Sequence, residues 1–163
     1  MNRDEHNRIF YLWVEMYGGI LWKTACAFAP ADEQEDLHQE LLIAVWTALP
    51  SFRGEALEST FIYRVAHNYA LTWVRTRVNR EKTLERYRME RPASQPDRPV
   101  DVLYEQIRKL PELDRTLVLL YLDEVNYRDM AKVLGISESN IGVRINRVKK
   151  KLAELFEEAR HGV

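Results

Sequence analysis

Apolar residues recur at three- and four-residue steps along the first part of the chain. From Ile9 to Phe28 they form one continuous stripe, which predicts a helix that Pro30 ends. The adjacent residues Gly18 and Gly19 weaken this helix by up to about 1 kcal/mol each, so a bend is expected there.

Two further helices are expected before residue 81. The second begins near Asp32 or Glu33, whose carboxylates suit a helix N-terminus, and it ends at the next proline. The third covers about residues 59–80, and its spacing predicts that Phe61 and Trp73 are at least partly buried. Three helices with short connections predict a small bundle.

The pattern changes at about residue 81. Three prolines between residues 92 and 99 cannot continue a helix, so residues 81–100 are expected to form a Pro-rich, partly extended linker. The sequence therefore predicts an all-α protein with two small domains, 1–80 and 101–163.

Four short helices are expected in the second domain, each opened by a residue that favours a helix start. They are residues 102–110 after Asp101, 112–121 after Pro111, 127–134 after Asn126 and 138–159 after Ser137.

The last two helices have the spacing of a helix-turn-helix. Ala131 is small enough for two helices to cross closely, and Gly135 suits a left-handed turn. Ile136 is expected to fill the core, and Ile141 and Ile145 face the first helix at a four-residue step. The pattern therefore predicts a four-helix, wingless helix-turn-helix domain that binds DNA.

The outward face of the second helix would enter a major groove. It carries Asn140, Val143, Arg144, Asn146, Arg147 and Lys151. Arginine and asparagine can read base edges through two hydrogen bonds, whereas lysines mostly contact phosphates. For Arg144 a structural ion pair is an equally good interpretation.

Composition argues against several other classes of protein. The content of 46% hydrophobic and 30% charged residues is ordinary for a soluble globular chain. The single cysteine, Cys26, suits a reducing cytosol, and the longest apolar stretch contains charges, so membrane insertion is not expected. Four scattered histidines and the lack of a glycine-rich phosphate loop or nucleophile motif predict no metal, no cofactor and no enzymatic activity. No export signal is recognised, which predicts the cytoplasm.

The net charge of −1 conceals strong segregation. Residues 1–60 carry 4 basic and 10 acidic side chains, whereas residues 61–91 carry 8 and 3. Residues 137–163 are basic again, with 6 and 4. The two basic zones suit a polyanion, and the acidic front suits a different partner.

Several blocks, in order along the chain, resemble a known family. In the first domain they are Asp36-Leu-His-Gln-Glu, Leu49-Pro-Ser-Phe-Arg-Gly and Phe61-Ile-Tyr-Arg-Val-Ala-His-Asn. In the second they are Leu110-Pro-Glu-Leu-Asp-Arg, Asn126-Tyr-Arg-Asp-Met-Ala, Ile136-Ser-Glu-Ser-Asn-Ile and Arg144-Ile-Asn-Arg-Val. They resemble bacterial RNA polymerase sigma factors of the extracytoplasmic-function class, within the sigma-seventy family.

The resemblance implies three sets of binding residues. For docking on core RNA polymerase, through the clamp coiled coil of the largest subunit, the set is Asp36, Gln39 and Glu40; the polymerase flap is a further expected contact. For the minus-ten, single-stranded DNA the set is Phe52, Arg53, Tyr63, Arg64, Asn68, Arg75 and Arg77. For the minus-thirty-five DNA the set is Tyr127, Ser137, Gly142, Val143, Asn146 and Arg147. Without the family, a solvated acidic face is the simpler interpretation of the docking set.

The sequence departs from the family pattern at several of these positions. Gly142 stands where a basic residue is common, which removes a base-reading side chain from the recognition helix. Thr72 stands where an acidic or amide residue is frequent, Phe61 where a tryptophan is, and Asn140 replaces a usual threonine.

Together these features predict a promoter-specificity subunit that recognises minus-thirty-five and minus-ten elements and helps to open promoter DNA. An anti-sigma factor is a further partner that the linker would permit. The alternative is a stand-alone two-domain regulator that binds operator DNA without polymerase.

Overall fold

Helices account for all the regular secondary structure in the described part of the chain, residues 1–84 and 97–162 of a computed structural model. The α-helices there are α1 Arg3–Phe28, α2 Gln34–Ala48, α3 Glu58–Leu84, α4 Pro99–Arg108, α5 Glu112–Leu122, α6 Tyr127–Leu134 and α7 Glu138–His161. Two short 3-10 turns, Ala31–Glu33 and Leu49–Ser51, adjoin the two ends of α2. The predicted all-α, two-domain fold is confirmed.

The first three helices form a bundle around a closely packed apolar core. α1 begins earlier than its apolar stripe, because the Asn2 side chain accepts a hydrogen bond from the Glu5 backbone N–H at 2.8 Å. It continues through both central glycines without interruption, since Trp13 and Leu21, on either side of them, are buried in the bundle. Tertiary packing thus offsets the low helix propensity of glycine.

The ends of the predicted linker are helical. α3 continues to Leu84, and Arg77 and Glu81 form an ion pair of 3.0 Å across one helical turn. α4 begins at Pro99, a residue whose fixed backbone angle suits the first helical position. Asp101 is therefore not the N-cap that the sequence predicted; its carboxylate instead accepts from the Arg98 backbone N–H at 3.2 Å. The rest of the predicted linker, residues 85–96, lies outside the described residues.

The second group of helices packs against the first, and their buried apolar residues form one continuous cluster. Leu37 and Ile62 represent the N-terminal side of this core, and Leu117 and Ile141 the C-terminal side; each is less than 2% exposed. Across the described ranges, no helix has the length and apolar character that crossing a membrane requires.

Candidate nucleic-acid interface

The turn between α6 and α7 has the predicted geometry. Gly135 lies in the left-handed region, with φ of 68°, where a side chain would be strained. The side chain of Asn126 caps α6 by accepting from the Asp129 N–H at 2.9 Å, and the Ser137 hydroxyl caps α7 at 3.3 Å. Ile141 is fully buried between the helices. These contacts fix the orientation of α7 on the domain.

The outward face of α7 is open to solvent along its first three turns. Asn140, Asn146 and Arg147 are exposed, and Val143 is 57% exposed, which is unusual for an apolar side chain in mid-helix. These side chains recur at three- and four-residue steps, so they project from one face. An exposed apolar group among amides and a guanidinium suits the edges of base pairs.

Arg144 belongs to the fold and not to this face. Its guanidinium donates to the Asp114 carboxylate at 2.7 Å, which ties α7 to α5. Of the two interpretations that the sequence allowed, the structural ion pair is the one observed.

Gly142 lies beneath an aromatic ring. A Cβ built on Gly142 would lie 3.5 Å from Cε2 of Tyr127, an ordinary van der Waals distance. The Tyr127 ring, 46% exposed, therefore covers part of the surface where the family commonly has a basic side chain.

A second polar face lies on α3. Arg64, Asn68 and Arg75 are exposed and lie four and seven residues apart, so they project from one side of the helix. The Arg64 guanidinium lies 5.9 Å from the centroid of the Phe61 ring, a cation–π distance. Arg77, by contrast, is paired with Glu33 at 2.7 Å and with Glu81.

The loop before α3 combines an exposed cation with a partly buried aromatic side chain. Phe52 packs edge-on against Trp13 at a centroid distance of 5.2 Å and against Phe61 at 5.1 Å. Arg53 is exposed, and Gly54 follows with φ of 74°. The predicted burial of Phe61 is confirmed at 7% exposure, and Trp73 is half-buried as expected.

Tyr63 occupies a different environment from the rest of the minus-ten set. Its side chain is 3% exposed, and its hydroxyl donates to the Asp123 carboxylate at the end of α5. Burial raises the pKa of Tyr63, and the hydrogen bond to the carboxylate adds to this shift. In this arrangement of the domains, Tyr63 does not face solvent.

The acidic face lies on α2. Asp36 and Gln39 are exposed, whereas Glu40 accepts from the Tyr69 hydroxyl at 3.1 Å beside the exposed Ile43. Partial burial, together with this carboxylate, raises the pKa of Tyr69. This face therefore combines negative charge with a mostly apolar groove that Glu40, Ile43 and Tyr69 help to line.

Sequence reasoning missed the polar residues that join the two groups of helices. His67 and Thr116 are both buried and hydrogen-bonded to each other at 2.6 Å, and Asp123 binds Lys23 as well as Tyr63. A histidine and a lysine within apolar helical stretches were the available signals.

Among the described residues, no group of three or more histidine, cysteine, aspartate or glutamate side chains is placed to hold a metal ion.

Two family patterns match the chain in the order of its domains. Sigma-70 region 2 matches residues 13–80, and Sigma-70 region 4 matches residues 101–152. The chain belongs to the sigma-70 family. The region 2 match covers most of α1 through most of α3, and the region 4 match ends within α7.

The relatives of this sigma factor include sigma factors of bacterial RNA polymerase. It is 25% identical over 136 residues to RNA polymerase sigma factor YlaC of Bacillus subtilis, covering 77% of this chain and 79% of that one. It is 24% identical over 162 residues to the extracytoplasmic-function sigma-E factor of Escherichia coli, covering 89% and 85%. The class is therefore that of the extracytoplasmic-function sigma factors.

Solved structures share the fold. The sigma factor RpoE of Bartonella quintana, crystallised with the anti-sigma factor NepR, aligns with a TM-score of 0.75 at 20% identity and covers 92% of this chain and 98% of its own. CnrH, in complex with the cytosolic domain of CnrY, aligns with a TM-score of 0.61 at 24% identity, covering 93% and 89%.

Proposed function

We propose that this sigma factor binds core RNA polymerase and directs promoter-specific initiation through two DNA-binding faces. The observation that carries the proposal is the pairing of two solvent-open polar faces, on α3 and α7, with the region 2 and region 4 patterns respectively. One face suits single-stranded DNA and the other suits the major groove of duplex DNA.

The face on α7 reads the minus-thirty-five element. Asn146 and Arg147 can each make two hydrogen bonds to a base edge, and Val143 can contact a thymine methyl group. Tyr127 and Ser137, at the N-termini of the two helices, lie where they can approach the DNA backbone. Because Gly142 has no side chain, base reading depends on its neighbours on the same face.

The face on α3 and its preceding loop bind the minus-ten strand. Asn68 offers an amide to the edge of an unstacked base, and Phe52 lies at the base of the loop. Arg53, Arg64 and Arg75 are exposed and can pair with phosphates. Tyr63 and Arg77 contribute only after release from their acidic partners.

The acidic face on α2 docks on polymerase. Asp36, Gln39 and Glu40 are the proposed contacts with the clamp coiled coil, and the adjacent exposed Ile43 supplies apolar area. Negative charge on this face keeps it away from DNA, which leaves α3 free to meet the opened strands. The second domain would contact the flap.

The proposal assigns no covalent chemistry, metal or cofactor to the chain, and it places the chain in the cytoplasm with the polymerase. Two structural relatives were solved as complexes, RpoE with the anti-sigma factor NepR and CnrH with the cytosolic domain of CnrY. An anti-sigma factor is accordingly a proposed partner of this chain as well.

In vitro transcription of genomic DNA by core polymerase, with mapping of start sites, tests the proposal. New start sites that appear only with the added chain support it. Specific DNA binding by the free chain, with no gain in initiation, would favour the stand-alone regulator instead.

Two substitutions test the DNA-binding faces. Arg147→Ala should weaken minus-thirty-five recognition, whereas Arg160→Ala, an exposed change on the same helix beyond the region 4 match, should not. Asn68→Ala should impair promoter opening more than polymerase binding. Equal loss of both would remove Asn68 from the strand-binding site.

A further inference from the structure

One flank of the DNA-facing side of α7 carries no side chain of its own. Ile141 and Ile145 are buried, and at about 100° per residue Val143 points away from both of them. Arg144 and Gly142 then lie on the two flanks of the outward face. Arg144 is tied to α5 by its ion pair, whereas Gly142 offers only backbone to its surroundings.

Tyr127, the first residue of α6, fills the flank that Gly142 leaves open. A Cβ on Gly142 would lie 3.5 Å from Cε2 of Tyr127, so the aromatic ring lies over the α7 backbone at this point. A long side chain at residue 142 would compete with the ring for the same surface. The glycine therefore allows a side chain from α6 to join the surface that α7 presents.

The Tyr127 side chain has no structural partner that would hold it in place. It is 46% exposed, and within the described residues its hydroxyl has no hydrogen-bond partner. The buried or half-buried tyrosines of the bundle differ, since Tyr17, Tyr63 and Tyr69 each donate to a carboxylate. Both the ring and the hydroxyl of Tyr127 are therefore available to a ligand.

The chemistry of the ring indicates what it can contact in a major groove. Base edges there offer hydrogen-bonding groups and one kind of apolar group, the C5-methyl of thymine, which apolar and aromatic side chains contact. Tyr127 and the 57% exposed Val143 are the two apolar side chains at this face, and amides and a guanidinium surround them. Two apolar groups at separate points of the face suit thymines at separate base pairs.

We propose that Tyr127 is a specificity-determining residue of the minus-thirty-five face, and that its ring reads the methyl group of one thymine. This base is then read from α6, through the space that Gly142 provides, and not by a side chain of α7. The hydroxyl remains free to pair with a phosphate, so the ring and the hydroxyl have separable roles. The inference rests on the proposed function, because it requires α7 to lie in the major groove.

A promoter library randomised through the minus-thirty-five region tests the inference, with holoenzyme assembled from core polymerase and the full chain. The wild type should prefer thymine at a position where Tyr127→Ala loses that preference. Uracil in place of this thymine removes only the methyl group. It should weaken binding by the wild-type holoenzyme about fourfold, the factor for one buried apolar carbon, and should leave binding by Tyr127→Ala unchanged.

Two control variants separate the ring from the rest of the side chain and from the domain. Tyr127→Phe should keep the thymine preference while weakening binding to all sequences alike, because it loses only the hydroxyl. Tyr121→Ala removes a tyrosine of similar exposure, 39%, from α5 of the same domain. Its base preferences should equal those of the wild type.

The same base preferences for the wild type and Tyr127→Ala, with at most a uniform loss of binding, would overturn the inference, because a phosphate contact alone gives that result. Loss of the thymine preference in Tyr127→Phe would also overturn it. If circular dichroism shows that Tyr127→Ala does not fold, Tyr127→Ser also removes the ring and is judged by the same criteria. Failure of the proposed function would appear separately, as a lack of initiation by the wild-type holoenzyme on every member of the library.

Discussion

Acidification should destabilise this protein through one buried imidazole. Burial lowers the pKa of His67 to about 4, whereas an exposed histidine in an unfolded chain has a pKa of about 6.5. Between these values the unfolded state binds more protons, so the free energy of unfolding decreases as the pH falls. The contribution is complete above about pH 6.5 and is lost as the pH approaches about 4, which amounts to about 3 kcal/mol in total.

About 2 kcal/mol of this loss should appear between about pH 7 and about pH 5. Urea unfolding followed by circular dichroism at the two pH values measures it, with His67→Gln as the comparison. Carboxylates and the half-buried His38 titrate in both proteins, so the difference between their pH dependences isolates His67. Because burial is the cause, Thr116→Val should retain the pH dependence while losing a constant amount of stability. Identical pH profiles for wild type and His67→Gln would refute the assignment.

Three further substitutions test the helix-turn-helix. Gly142→Ala should raise the free energy of unfolding by about 1 kcal/mol in thermal melts, since its Cβ finds ordinary contact distances; a decrease would mean that the overlying ring cannot adjust. Asn126→Ala should cost about 1 kcal/mol by loss of the α6 cap, while Asn146→Ala, exposed in mid-helix, should cost nothing measurable; equal losses would contradict the cap. Ile141→Ala should cost about 2–5 kcal/mol in urea unfolding, against about 0.5 kcal/mol or less for Val143→Ala.

Local chemistry explains why the helix-turn-helix could be predicted from the sequence. Gly135, Asn126 and Ser137 each act on backbone groups within four residues, so the turn and both caps follow from short-range rules. Arg64 and Asn68, by contrast, were assigned through the family resemblance; helical periodicity explains why they lie on one face of α3.

Contacts between distant residues explain most of what the sequence did not reveal. Asp123 meets Tyr63 and Lys23 across 60 and 100 residues, and no periodic pattern marks one exposed-looking acid among many as their partner. Tyr63 itself was assigned to DNA because of its neighbours in the motif. Only the packing of α5 against α3 shows that the free chain hides it.

The ends of the linker illustrate a third kind of difference. Proline density predicted where the helices must stop, but not how far each could extend. One ion pair carries α3 past Arg80, and Pro99 serves as a helix start in place of a linker residue. Proline density therefore located the break between α3 and α4, but it predicted the ends of these two helices only approximately.

The long separation in sequence between Tyr63 and Asp123 also means that the two residues are synthesised seconds apart. A ribosome adds about 5–20 residues per second, so Asp123 is synthesised about 3–12 seconds after Tyr63. For about the last 2–8 seconds of that interval, the sequence of the three-helix bundle has been synthesised in full while the end of α5 has not. In each newly made chain, α3 is therefore uncovered at first. The packing of α5 against α3 happens later and competes with any partner already present at the ribosome.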